Sequence, residues 1–186
     1  MFEVQGFRRI DGPAGTLVLL AAPATDPPIR LELSYRVRRR LLARVYHLRV
    51  RLVRVGLPAV IWADDATSGL SAARSGEVAP FVVEHKVTGV VATSSQLEVK
   101  GPGAAFGERL AAGLRRSGAL ERLRAALDLE EFRIEWAPAS GEIRVTVGPY
   151  PGSYLYMIIP PVHYTVRLKP AEVEALIVFF EEFGRS

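Results

Sequence analysis

The chain has 186 residues and a mass of 20.4 kDa, and its 49% hydrophobic and 24% charged residues exclude a disordered, collagen-like or disulfide-stapled protein. It has no cysteine, which excludes thiol nucleophiles and cysteine-ligated metals. The formal charge is +4, arginine far outnumbers lysine and asparagine is absent, a composition that suggests a thermophilic source or, for the arginines, a GC-rich genome.

The N-terminal segment has only a superficial likeness to a secretory signal. Arg8 and Arg9 precede an apolar run, but the run is too short, and Glu3 and Asp11 lie inside or beside the basic region. No window approaches the roughly 18 uninterrupted apolar residues of a membrane helix. We therefore expect a soluble, cytoplasmic protein with no membrane partner.

Most of residues 1–95 is predicted to form β-strands. Hydrophobic and polar residues alternate over 29–37 and again over 46–52, which predicts two strands joined by a hairpin through 39–44. Part of 36–54 also has apolar residues at helical spacing, so an amphipathic helix is the alternative; its β-branched content favours strands. The other elements expected in this half are strands at 17–20, 59–62, 81–88 and 90–92, and a loop at 64–77.

Residues 96–186 are predicted to follow the order strand, helix, four strands, helix. After a strand at 96–100, leucines three or four residues apart predict helical segments on both sides of Ser117-Gly118. Pro170 suits the first turn of a last helix that runs to Phe183. The four strands, 132–136, 143–147, 154–159 and 162–168, should pair antiparallel because each connection is too short for a parallel crossover.

This order of elements resembles the helix-grip or TATA-binding-protein-like arrangement, in which an antiparallel sheet curls around a helix. The resemblance covers half of the chain without a residue motif, so it implies a fold and no chemistry. We predict an α+β protein, mostly antiparallel sheet, with helices concentrated in the second half. Residues 1–95 would form one part and 96–186 a β-α-β4-α part, with packing as a single domain the alternative.

No motif specifies a catalytic residue. Gly101, Gly103 and Gly107 follow a strand as in a dinucleotide-binding loop, but Phe106 stands where that loop needs a small residue, so they predict a sharp strand-to-helix turn. The sequence GLSAA lacks the second glycine of a nucleophile elbow. The three histidines, His47, His85 and His163, have no metal-ligand spacing. We predict no catalytic site, no metal and no cofactor.

Arginines concentrate between Glu32 and Asp64, where the chain has no acidic residue. The eight are Arg36, Arg38, Arg39, Arg40, Arg44, Arg49, Arg51 and Arg54. Guanidinium groups pair with phosphate oxygens in a fork geometry, so this segment predicts a non-catalytic binding module for nucleic acid or another polyanion. Four of them, Arg36, Arg38, Arg49 and Arg51, are expected on one solvent face of the hairpin.

Two other kinds of partner are possible for these arginines. They could form an internal ion-pair network with an acidic run further along the chain, or they could bind an acidic protein. The run consists of Asp128, Glu130, Glu131 and Glu135.

Tyrosines and the last helix offer further candidate surfaces. Tyr154, Tyr156 and Tyr164 could stack bases or line a small-ligand pocket between the curved sheet and the helices of 106–127, or they could be core residues. On the last helix Val178 and Phe179 fall outside the core-facing stripe, which predicts a homodimer or the docking of another protein. A structural, self-associating subunit is the remaining interpretation.

Overall fold

A computed structural model describes residues 7–10, 16–21, 29–58, 78–85, 97–157 and 159–185. Within these ranges the chain forms one ten-stranded antiparallel sheet and three helices, which confirms the α+β class and the concentration of helices in the second half. The strands are β1 (Phe7–Ile10), β2 (Thr16–Ala21), β3 (Ile29–Arg40), β4 (Ala43–Val55), β5 (Phe81–His85), β6 (Leu97–Lys100), β7 (Leu129–Ala137), β8 (Glu142–Pro149), β9 (Tyr154–Met157) and β10 (Val162–Thr165). The helices are α1 (Ala104–Ser117), α2 (Ala119–Ala126) and α3 (Pro170–Arg185).

The strand order is β1-β2-β3-β4-β8-β7-β5-β6, so the sheet joins strands from both sides of residue 96. The long strand β4 has two partners on one edge: its second half pairs with β8, and its first residues pair with β9. β10 pairs in turn with β9. The end of the sheet formed by β3, β4, β9 and β10 therefore lies beyond the end of β8.

The hairpin of β3 and β4 confirms the predicted strand alternation and excludes the helical alternative for 36–54. The register runs from Ile29 opposite Arg54 to Arg40 opposite Ala43, and Leu41 and Leu42 form the turn. The predicted strands at 59–62 and 90–92 and the loop at 64–77 lie outside the described residues.

The four strands of the second half are antiparallel, as predicted, but only two neighbouring pairs form directly. β7 pairs with β8, and β9 pairs with β10. β8 and β9 each pair with β4 instead of with each other, because β4 has 13 residues and offers room for both along one edge.

The three helices cover one face of the sheet, which we call the helix-covered face. Leu52 and Ile134 lie at its centre, and α1 packs on β5 and β6 while α2 packs on α3. A left-handed Gly118 (φ +65°) separates α1 from α2, as the Ser117-Gly118 break predicts. Gly103 allows the start of α1 to pack closely against residues 78–80, which precede β5, because a Cβ there would lie 2.1 Å from the carbonyl oxygen of Ala79.

The prediction that Phe179 lies outside the core is wrong. Its side chain is 2% exposed, and its ring centroid lies 5.9 Å from that of Phe132 on β7. The prediction of a narrow core-facing stripe assumed that α3 contacts the sheet alone. α3 packs on both the sheet and α2, so a wider arc of the helix is buried. Val178 is exposed, as predicted.

Candidate functional site

The hairpin divides the eight arginines into two groups with different surroundings. Side chains alternate between the two faces along β3 and β4, and Leu48 and Leu52 belong to the helix-covered face. Arg49 and Arg51 therefore lie on the opposite face. So do Arg36 and Arg38, which stand across the hairpin from His47 and Val45.

Three arginines, which we call the inner arginines, have partners inside the protein: Arg49, Arg51 and Arg54. Arg49 donates two hydrogen bonds of 2.8 Å to the carboxylate of Glu131. Arg51 lies 3.3 Å from a carboxylate oxygen of Glu32. Arg54 donates to the carbonyl oxygen of Phe183, and burial lowers the pKa of its guanidinium.

The internal ion-pair interpretation thus holds for part of the segment. Of the predicted acidic run, Glu131 pairs with Arg49 and Glu130 contacts His47 Nδ1, whereas Glu135 pairs with Arg133. Arg36, Arg38, Arg49 and Arg51 share one face, as predicted, but the guanidinium groups of Arg49 and Arg51 pair with carboxylates instead of being available for a partner in solvent.

The other five arginines, the outer arginines, are exposed. They are Arg36, Arg38, Arg39, Arg40 and Arg44. Within the part of the chain that the structure describes, none of them has an ion pair or a side-chain hydrogen bond. They belong to the end of the hairpin that extends beyond β2 and β8.

Two outer arginines face each other on the helix-covered side of the sheet. Arg39 stands directly opposite Arg44 in the β3–β4 register. The same row continues with Tyr156 on β9 and His163 on β10. Like charges directly opposite one another destabilise a strand pair, so this pair is suited to an anion that neutralises both cations.

The predicted tyrosine face is only partly correct. Tyr154 and Tyr156 share the helix-covered face, but Tyr164 pairs with Leu155 and lies on the opposite face. Tyr164 lies directly opposite Leu155 in the register of β9 with β10. Leu155 points to the other face from Tyr154 and Tyr156, its neighbours on β9, so Tyr164 does too.

The ring of Tyr154 is already in contact with other aromatic rings. It stacks on Tyr46 with a centroid distance of 4.2 Å and meets Tyr35 edge-on at 5.4 Å. Burial raises the pKa of Tyr154, and the neighbouring Tyr46 and Tyr35 raise it further. The Tyr156 ring likewise meets His163 edge-on at 4.6 Å. The cluster therefore stabilises this end of the sheet and covers a face of the Tyr154 ring, whereas Tyr164 is 62% exposed.

Exposed apolar side chains at the two turns were not among the predicted site residues. Leu41 is 94% exposed and Ile159 is 65% exposed, and Leu42 and Val162 are exposed as well. The sequence RRRLLAR, in which two leucines interrupt the arginines at a predicted hairpin turn, could have indicated this. We call residues 35–46, 154–157 and 159–165 together the sheet tip.

A cleft of about 550 Å³ lies between α2 and the start of β7. Its apolar lining comes from Leu120, Leu127, Leu129 and Phe132, and its polar lining from Arg38, His85, Arg124, Asp128 and Glu130. The lining thus carries charges of both signs. Among the described residues, no three histidine or carboxylate side chains cluster to hold a metal ion, and no helix is long and apolar enough to cross a membrane.

The chain belongs to the family described as "Protein of unknown function (DUF3156)", which matches residues 13–186. No curated protein matches the chain. No solved structure matches it either.

Proposed function

We propose that this member of the DUF3156 family is a non-catalytic binding protein that takes a polyanion with phosphate groups, such as nucleic acid, at the sheet tip. The observation that carries the proposal is the facing pair Arg39 and Arg44, two exposed cations with no carboxylate partner among the described residues. The pair lowers the stability of the hairpin unless an anion binds it.

The spacing of the outer arginines suits a chain of phosphates. Arg36, Arg38 and Arg40 follow the face of β3 opposite to the helices at intervals of about 7 Å, and Arg39 and Arg44 stand about 5 Å apart at their Cβ atoms on the helix-covered face. Each phosphate that an arginine neutralises releases condensed counterions, so affinity falls linearly with the logarithm of salt concentration. Sequence preference is slight, because phosphate contacts carry no base information.

The test is the affinity of a fluorescent single-stranded oligothymidylate, measured by anisotropy at several salt concentrations. The double variant R39Q/R44Q should bind more weakly and show a salt slope lower by about one to two units. A matched control is R115Q/R116Q, which removes two exposed arginines from the end of α1, a helix that packs on β5 and β6 rather than on the tip. Absence of oligothymidylate binding by the parent protein at low salt would refute nucleic acid as the polyanion, and an unchanged slope in R39Q/R44Q would refute binding at the sheet tip.

A small-ligand site is the second candidate function, favoured by the cleft between α2 and β7. Its volume of about 550 Å³ is in the ordinary range for ligand pockets. Thermal stabilisation by a small organic acid that is lost in R124Q and kept in R39Q/R44Q would favour this function over polyanion binding.

Self-association is the third candidate, and Val178 is the exposed residue on α3 that supports it. A dimer in gel filtration that V178S converts to a monomer would favour this function. A monomer at all concentrations would exclude it.

A further inference from the structure

Two turns leave apolar side chains in solvent at the same end of the sheet. The β3–β4 turn exposes Leu41 and Leu42, and the β9–β10 turn exposes Ile159. The registers bring the turns together, because Arg40, Ala43, Met157 and Val162 form one row across the four strands just before the chain reverses. With strands about 4.8 Å apart, that row spans roughly 15 Å.

Cations lie directly behind these apolar turns. Arg38, Arg39 and Arg44 are within three residues of the β3–β4 turn, which corresponds to at most about 10 Å along the strands. Tyr156 and Tyr164 stand at a comparable distance behind the β9–β10 turn. The tip thus has an apolar end, then a belt of arginines and tyrosines.

We propose that the sheet tip docks on the surface of an anionic lipid bilayer, with Leu41, Leu42 and Ile159 entering the interfacial layer and the outer arginines holding lipid phosphates. This inference rests on the proposed function and names the polyanion as a lipid surface. Apolar side chains of interfacial proteins enter the boundary of headgroups and acyl chains by about 5–10 Å. Arginines set back by a similar distance then reach the headgroups, where tyrosines also concentrate.

Nucleic acid and a second copy of the chain fit the same surface less well. Phosphates along a nucleic acid strand need the arginines but not the exposed Leu41 and Leu42. A second tip would bring like charges together, because the outer arginines surround the leucine turn. Charge complementarity therefore favours an anionic bilayer.

The test is flotation of the protein with vesicles of phosphatidylcholine alone and with vesicles of equal parts phosphatidylcholine and phosphatidylglycerol. The parent should bind the anionic vesicles only, and added salt should weaken binding. Each arginine near the surface contributes about fivefold to the partition coefficient, so R39Q/R44Q should bind roughly 25-fold more weakly. Burial of part of each leucine side chain predicts at least a tenfold loss for L41S/L42S.

Matched controls separate the tip from general effects of charge and hydrophobicity. R115Q/R116Q removes two arginines from α1, and V55S removes an exposed valine away from the turns. Both should bind anionic vesicles like the parent.

Oligothymidylate binding, measured on the same proteins, distinguishes failure of this inference from failure of the proposed function. Loss of vesicle binding in L41S/L42S with unchanged oligothymidylate affinity supports the lipid proposal. Vesicle binding that is unaffected in L41S/L42S overturns it, as does a parent that binds oligothymidylate but not vesicles; the proposed function survives both results. A parent that binds anionic vesicles but not oligothymidylate supports the lipid proposal and overturns nucleic acid as the polyanion, and a parent that binds neither probe overturns both proposals. A tip-dependent dimer that does not bind vesicles overturns the lipid proposal in favour of self-association.

Discussion

Replacing Arg49 by glutamine should destabilise the fold, whereas replacing Arg39 by glutamine should not. Arg49 donates two bonds of 2.8 Å to Glu131, and both side chains are 26% exposed. Hydrogen bonds to charged groups contribute about 1.5–3 kcal/mol when buried, and exposed pairs contribute about 0–1 kcal/mol. For a pair that is three-quarters buried we expect R49Q to lose about 1.5 kcal/mol. At about 2–4 °C per kcal/mol for a chain of this size, the melting temperature should fall by roughly 3–6 °C.

R39Q should not lower the stability of the fold, because the exposed Arg39 faces Arg44 across the hairpin. Removing one of two like charges should leave stability unchanged or raise it by a few tenths of a kcal/mol. Urea unfolding followed by circular dichroism measures both variants, and a double-mutant cycle of R49Q with E131Q should give a coupling energy of about 1 kcal/mol. Equal stability of R49Q and R39Q would refute the division into inner and outer arginines.

Three further predictions concern the packing of the core and the stability of the fold at low pH. F179A should cost about 3–5 kcal/mol in urea unfolding, and V178A should stay within about 0.5 kcal/mol of the parent. G103A should cost about 1–3 kcal/mol because its new Cβ would collide with a backbone carbonyl oxygen; unchanged stability would contradict the close approach. A hydrogen bond from Lys100 lowers the pKa of Glu84. The ionised Glu84 therefore stabilises the fold above about pH 4.5, and this contribution is lost as the pH falls below that value. The free energy of unfolding of E84Q, measured against pH, should not show this loss.

Local sequence patterns predicted the elements of the hairpin and their alternation. Polar residues at every second position of β3 and β4 fixed which arginines share a face, and the break at Gly118 fixed where α1 ends. These features depend on neighbours in the sequence, so their pattern is visible in the sequence itself.

Long-range partners could not be predicted in the same way. Glu131 is 82 residues from Arg49, and nothing in the pattern around Arg49 distinguishes it from Arg39. Arg49 becomes internal because the sheet brings Glu131 of β7 to it, whereas Arg51 pairs with Glu32, which lies directly opposite it in the hairpin. The pairing of β8 and β9 with β4 was missed for the same reason. The sequence does not show that the long strand β4 has room for both of them along one edge.

The expectation of no membrane partner rests on the length of apolar windows in the sequence. The absence of an apolar window of about 18 residues addresses only helices that cross a bilayer. The bilayer contact proposed for Leu41 and Ile159 needs only a few side chains, and these are more than 100 residues apart in the sequence. The register of β4 with β9 is what brings them together.

Hydrogen–deuterium exchange with and without inorganic polyphosphate tests most directly whether the polyanion site is the sheet tip. Polyphosphate should slow exchange in the sheet tip, residues 35–46, 154–157 and 159–165, and it should leave residues 104–126 of α1 and α2 unchanged. R39Q/R44Q should lose the protection, and R115Q/R116Q should keep it. Protection confined to residues 119–132 of α2 and the start of β7, or no protection at low salt, would contradict polyanion binding at the tip.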